Sequence, residues 1–204
     1  MADLRLLPWL LLAAASPALS QPVQLSESEF EALAAGKPRI VEDFNRFPSG
    51  SIQSPVTLLN GEFSGSPSIG APWCLESQCL NLNLATGVFS NLPARSEMWS
   101  ARLIPAGAGG TLNNVYDFDV VGGGGTQRFT LVNVTGVGAH GAFVGFQDPR
   151  GIQRVTVSLR SGGTGLNYSL DDVTVATGSP AQTSVPVGGP VAGLLFRSEE
   201  HTSE

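Results

Sequence analysis

Tyr116-Asp-Phe-Asp-Val-Val121 places Tyr116, Phe118 and Val120 on one side of an extended chain and Asp117 and Asp119 on the other. A period of two is the geometry of a strand with one face in a core and one in water. Residues 122–125 are all glycine, a turn that sends the chain back through a return strand at 127–134. Downstream, Asp148-Pro149-Arg150-Gly151 has Asp first, Pro second and Gly fourth, as a type I turn prefers, so 142–147 is expected to pair with 152–160. In that second arm Val155, Val157 and Leu159 face one way, and Arg154, Thr156, Ser158 and Arg160 face the other. One dry and one wet face is the mark of an antiparallel sheet.

The same pattern extends outward. Residues 40–44 read as a first strand, 81–89 and 96–104 as middle strands with Trp99 and Leu103 in the core, and 166–176 as the last. The Gly-, Ser- and Pro-rich stretch 48–72 suggests short edge strands near 56–59 and 61–63. Only 26–35 reads as helix: Ser26 and Glu29 have the spacing of a capping box, Phe30, Leu33 and Ala34 share a face, and Gly36 and Pro38 end it. No internal repeat is visible. The expected fold is all-β, an antiparallel β-sandwich or jelly roll with one short N-terminal helix.

The chain has 204 residues, 25 of them Gly and 14 Pro, with 14% charged, which is too apolar for disorder. Residues 1–20 have Arg5, an apolar run from Leu6 to Ala15 and a small-residue exit at Ala18-Leu19-Ser20, the layout of a secretory signal peptide. The expected order is then a sandwich domain over 21–176, a polar linker at 177–184, and an apolar segment at 185–196. The charged string 197–204 resembles the translation of a sequencing adapter, which would leave His201 outside the natural protein. Residues 21–196 hold nine Lys or Arg and thirteen Asp or Glu, a balance of −4. With no basic run to neutralise phosphates, nucleic acid is a poor partner.

Few residues could carry chemistry. Cys74 and Cys79, the only cysteines, are expected to form a disulfide across a short loop. Beside them, Trp73 is a candidate to stack on a sugar ring, with packing against the disulfide as the alternative. Leu170 and Val173 are three apart, yet both want the core, so a bulge is expected at Asp171-Asp172. If the first and last strands are neighbours, Glu42 or Asp43 would join Asp171 or Asp172 around a structural Ca²⁺, which takes six to eight oxygens. Solvated strand ends are the alternative. With His201 set aside, His140 is the sole histidine, and neither a nucleophile triad nor a zinc set is visible. No carboxylate pair is singled out for glycoside hydrolysis, so the chain is expected not to be an enzyme. Asn133-Val-Thr135 and Asn167-Tyr-Ser169 match the glycosylation triplet, which also arises by chance.

Val185-Pro-Val-Gly-Gly-Pro-Val at the start of the apolar segment resembles the Val-Pro-Leu-Pro-Ala variant of a PEP-CTERM sorting tail. Its twelve residues fall short of the ~20 a membrane helix needs, and the Arg cluster of the family is missing, so the anchor reads as truncated. Ser28-Glu-Phe-Glu-Ala-Leu33, Glu42-Asp-Phe44, Phe143-Val-Gly-Phe146 and Tyr168-Ser-Leu-Asp-Asp-Val-Thr-Val175 also occur in this order in PEP-CTERM exported proteins. The resemblance implies a sandwich at the surface or in the matrix of a Gram-negative-type bacterium, membrane-bound only through the missing anchor, and linked to exopolysaccharide. Leu170-Asp-Asp-Val173 is similar to the last strand of jelly-roll carbohydrate-binding modules, where an Asp helps hold a structural calcium. That implies Asp171 or Asp172 here and, more weakly, Glu42. Two functions follow as expectations: a non-catalytic surface or matrix protein, to which an adhesive role is open, or a calcium-stabilised module binding an extracellular polysaccharide. Oligomeric state is not readable.

Overall fold

The computed structural model describes residues 21–70, 78–83, 86–105, 114–132, 134, 141–161 and 167–178. In chain order its elements are β1 (Val23–Leu25), α1 (Glu27–Ala34), β2 (Arg39–Glu42), β3 (Gly50–Ser51), β4 (Val56–Leu58), β5 (Gly61–Ser64), β6 (Pro67–Gly70), β7 (Cys79–Asn83), β8 (Gly87–Ser90), β9 (Ser96–Pro105), β10 (Val115–Gly122), β11 (Gly125–Val132), β12 (Ala142–Gln147), β13 (Ile152–Ser161) and β14 (Asn167–Thr177). All pairings are antiparallel. One sheet runs β1-β12-β9-β14-β7-β6-β3, with β2 also on β14; the other runs β11-β10-β13-β8-β5-β4. The fold is the expected all-β sandwich with one short helix.

The helix starts as the sequence indicates. Ser26 accepts from the Glu29 amide at 3.3 Å, and the Ser26 amide donates to the Glu29 carboxylate at 2.8 Å, so two orphan donors are satisfied reciprocally. Gly36 then takes a φ of +76°. Phe30 and Ala34 pack on Met98 and Ala176 of the larger sheet, whereas Leu33, expected on the same face, is 43% exposed. Three and four residues from Phe30 lie on either side of the contact line, and only Ala34 is small enough to let the helix close on the sheet.

Two expectations about connectivity are corrected. Residues 142–147 and 152–160 do not pair: β12 lies in the larger sheet beside β9, and β13 in the smaller one beside β10. The turn between them closes as expected, with the Gly151 amide on the Asp148 carbonyl at 2.9 Å, but it arches from sheet to sheet. Val144, Phe146, Val155 and Val157 all enter one core, from opposite sides. Alternation records which side chains go inward, and an arch satisfies it as well as a hairpin. Likewise 81–89 is two strands, β7 and β8, in different sheets. The strand at 40–44 ends at Glu42, and Phe44 turns into the core with φ +59°.

Between the sheets Trp99 is ringed by Phe89, Phe118 and Phe146 at centroid distances of 5.4, 6.3 and 6.0 Å. Tyr116 and Tyr168 meet edge to face at 5.5 Å, and the Tyr168 hydroxyl donates to the Val157 carbonyl at 3.1 Å. Burial raises the Tyr116 phenol from 10.0 to about 12, and burial likewise raises Tyr168. The folded state therefore keeps protons that the unfolded chain releases near pH 10. This contribution to stability is whole below pH 10 and is lost as pH rises through about 12. Urea midpoints are expected to fall steeply across that window, and the double variant Tyr116→Phe, Tyr168→Phe is expected to flatten the fall.

Candidate functional site

β14 changes partner halfway along one flank. Asn167 to Leu170 pair with β7, from Asn83 back to Leu80, and Val173 to Ala176 pair with β2, from Glu42 back to Arg39. Between these stretches lie Asp171 and Asp172. On the other flank, facing β9, Asp171 sits opposite Arg102 and Thr174 opposite Ser100, so β14 holds one extra residue there. Asp172 carries it with φ +48°, and Leu170 and Val173 are both fully buried. The bulge read from the sequence is present, and the strand read as first does lie beside the last.

The break gathers the chain ends expected there. The chain leaves β2 at Glu42 and Asp43 and enters β7 at Gln78 and Cys79. The Gln78 amide donates to Asn45 Oδ1 at 3.2 Å, tying exit to entry. Cys79 is fully buried, its Sγ 3.5 Å from the Gly70 carbonyl oxygen. Trp73, Cys74, His140 and Asn133 lie outside the described residues, as do residues 1–20 and 179–204; of the stretch expected as a linker, Thr177 ends β14.

The side chains at the break divide between two faces. Glu42 lies directly opposite Val173 on the core side and is 5% exposed. Both its oxygens accept from Arg46 Nε at 3.2 Å, and Nη2 adds a 2.6 Å contact. Asp43 is exposed, its Oδ1 accepting from the Asn45 amide at 3.1 Å. Asp171 Oδ1 accepts from the Asp172 amide at 2.9 Å, and Asp172 is exposed on the outer face beside Val41 and Thr174. Glu42 and Asp172 thus stand on opposite sides of the sheet. Among the described residues no group of three or more His, Cys, Asp or Glu side chains is close enough to hold one ion.

On that outer face α1 and the larger sheet enclose a hollow of about 220 Å³, reached by Asp172, Thr174, Arg102 and Phe143. Arg102 pairs with Glu27 of the helix and lies 5.7 Å over the Phe143 ring. Two shallow hollows of about 370 and 420 Å³ adjoin at Asn91, lined by turn and strand-end residues and no aromatic ring.

The outer face of the smaller sheet is a second polar surface. Arg160 grips Asp117 at 2.5 and 2.8 Å, Thr130 donates to it at 2.7 Å, and Arg128 grips Asp119 at 2.6 and 2.7 Å. The Arg160 hydrogen bonds hold the Asp117 carboxyl below its ordinary range, although burial opposes them. Sequence reasoning placed Asp117 and Asp119 outward but named no partner for them, because Arg160 is 43 residues away in the chain. Arg46 was equally hidden: four residues after Glu42 it is a helix-like spacing, here made by a turn.

No protein-family model matches the chain, and no curated protein matches it significantly.

Proposed function

We propose that the protein is an exported, non-catalytic β-sandwich of bacterial PEP-CTERM type, working at the cell surface or in the extracellular matrix. The observation that supports this best is the outer face of the smaller sheet. Its Asp and Arg side chains neutralise one another across strands, with Thr130, Thr156 and Ser158 among them. Such a surface suits contact with a hydrated matrix. The family-like motifs point the same way. Glu42-Asp-Phe44, Phe143-Val-Gly-Phe146 and Tyr168 to Val175 fall on or beside β2, β12 and β14, where Phe44, Phe146, Leu170 and Val175 fill the core. They read as the residues that build the sheet. A Cys74–Cys79 disulfide belongs to the same proposal.

The runner-up is a calcium-stabilised carbohydrate-binding module. It is favoured by one juxtaposition: the Asp171-Asp172 bulge lies where the chain leaves Asp43 and where the segment bearing Trp73 rejoins the sheet at Gln78. The ion would draw on Asp43 with Asp171 or Asp172, since among the described residues no three such carboxylates converge, and on backbone carbonyls for its remaining oxygens; Glu42 is committed to Arg46.

One experiment separates the readings. The gene is expressed with its leader, the cells are fractionated, and the purified protein is tested on a polysaccharide array with calcium and with chelator. Recovery outside the cytoplasm with no saturable binding supports the first reading. Saturable binding lost on Trp73→Ala, with a melting temperature that falls in chelator, replaces it with the second. A leader-bearing precursor retained in the cytoplasm ends both.

A further inference from the structure

Among the described residues five strands pair on one side only, and four of them are short. β1 has three residues, β2 four, β3 two, and β4 three with Pro55 directly before it. Short edges and proline are ordinary protections against strand addition. The fifth, β11, is eight residues long, Gly125-Thr-Gln-Arg-Phe-Thr-Leu-Val132, with no proline and no register shift against β10. Its one charge, Arg128, is cancelled within its own hairpin by Asp119.

The ladder fixes which groups are free. Gly122 pairs with Gly125 across a two-residue turn, so this pair must exchange both its backbone bonds, since the other arrangement would require bonds between adjacent turn residues. Alternation then turns the backbone groups of Gln127, Phe129 and Leu131 toward β10, and those of Thr126, Arg128, Thr130 and Val132 outward. One outward carbonyl, that of Arg128, takes a bond from the Gln127 side-chain amide at 3.3 Å, as expected of an oxygen no strand has claimed. The rim beneath this edge is incompletely covered. Phe129 stacks on Phe146 at 4.8 Å, yet Phe129 and Leu131 are only partly buried.

We propose that β11 pairs antiparallel with β11 of a second copy of this chain, across a twofold axis at Phe129, to make one sheet continuous through both molecules. The strand is complementary to itself in that register. Thr126 and Val132 exchange backbone bonds with the partner's Val132 and Thr126, and Arg128 does so with the partner's Thr130. The two Phe129 rings meet at the axis on the core side, where they extend the aromatic cluster and cover the open rim. Shifting the axis to Arg128 would set two arginines face to face, so charge selects against that register. A twofold contact is closed, which prevents open-ended stacking. The inference is independent of the function proposed above.

The test uses the intact protein, with sedimentation equilibrium and amide hydrogen exchange from micromolar to millimolar concentration. A dimer is expected, with the amides of Thr126, Arg128, Thr130 and Val132 gaining protection as it forms while those of Gln127, Phe129 and Leu131 are protected throughout. Two exposed-face double variants check the register. Thr126→Lys with Val132→Lys opposes lysines at both ends of the pairing and is expected to weaken the dimer about tenfold or more, whereas Thr126→Lys with Val132→Glu restores opposite charges and is expected to dimerise like the parent. A protein monomeric at every concentration overturns the proposal. So does a dimer indifferent to both variants, or one that forms without new protection of the four outward amides.

Discussion

Replacing Trp99 by alanine is expected to cost about 3–5 kcal/mol and to lower the melting temperature by roughly 10 °C, the largest loss from any single truncation in the core. Trp99 is fully buried at the centre of β9, the strand between β12 and β14, and its indole touches rings carried by both sheets: Phe146 from the larger, Phe89 and Phe118 from the smaller. Alanine there removes the ring that bridges the layers, and these neighbours cannot all collapse into the space. The indole also holds the one buried side-chain polar atom without a hydrogen-bond partner among the described residues, Nε1. An orphaned buried N–H costs about 1–3 kcal/mol. Trp99→Phe therefore loses part of the packing but also removes that cost, and its net loss is expected to be less than half that of Trp99→Ala in urea denaturation. Equal losses in the two variants would mean that the indole N–H is satisfied, by a ring face or a water, and that packing alone decides the site.

Such a core was legible because inward positions announce themselves. Tyr116, Phe118, Val120, Val155 and Val157 follow a period of two, and all are buried. Ser26 with Glu29, and Leu170 with Val173, were equally plain, since a cap and a bulge are local events written within four residues. What was hidden depends on the partner strand. The segment 142–160 alternates whether its two arms pair with each other or belong to different sheets, so the arch at Asp148 could not be told from a hairpin. The face of Glu42 follows from its register with Val173, and its capture by Arg46 from a turn that no periodicity marks. The candidate site was therefore half visible: the bulge and the neighbouring strands were readable, but the division of the carboxylates between two faces was not.

Asp148→Ala is expected to cost about 3–5 kcal/mol, although the residue touches no part of the aromatic core. Asp148 is fully buried at the arch between β12 and β13, and its carboxylate is an acceptor for two backbone donors from different turns: Oδ2 takes the Gly124 amide at 3.0 Å, and Oδ1 the Arg150 amide at 2.9 Å. Its own amide extends the larger sheet by donating to the Glu97 carbonyl at 2.9 Å, while the Gly123 amide donates to the Gly151 carbonyl at 2.9 Å. One side chain thus pins the β10–β11 turn to the sheet-to-sheet arch. Removing it strands two part-buried donors, each bond worth about 1.5–3 kcal/mol when made to a charged acceptor. Asp148→Asn keeps the shape but turns one acceptor toward a donor as a second donor, so it is expected to recover at most one bond and to fall between wild type and alanine. The same pin explains why Gly122 must lack a side chain: a Cβ there would lie 2.0 Å from Asp148 Oδ2, so Gly122→Ala is expected to push the carboxylate off both amides and match the alanine variant at 148. Amide exchange reads the mechanism directly, because Gly124 and Arg150 should both lose protection ahead of global unfolding in Asp148→Ala and Gly122→Ala, and one of them should keep it in Asp148→Asn. A loss under about 1 kcal/mol with both amides still protected would show that water replaces the carboxylate, and that the two sheets are joined by their core alone.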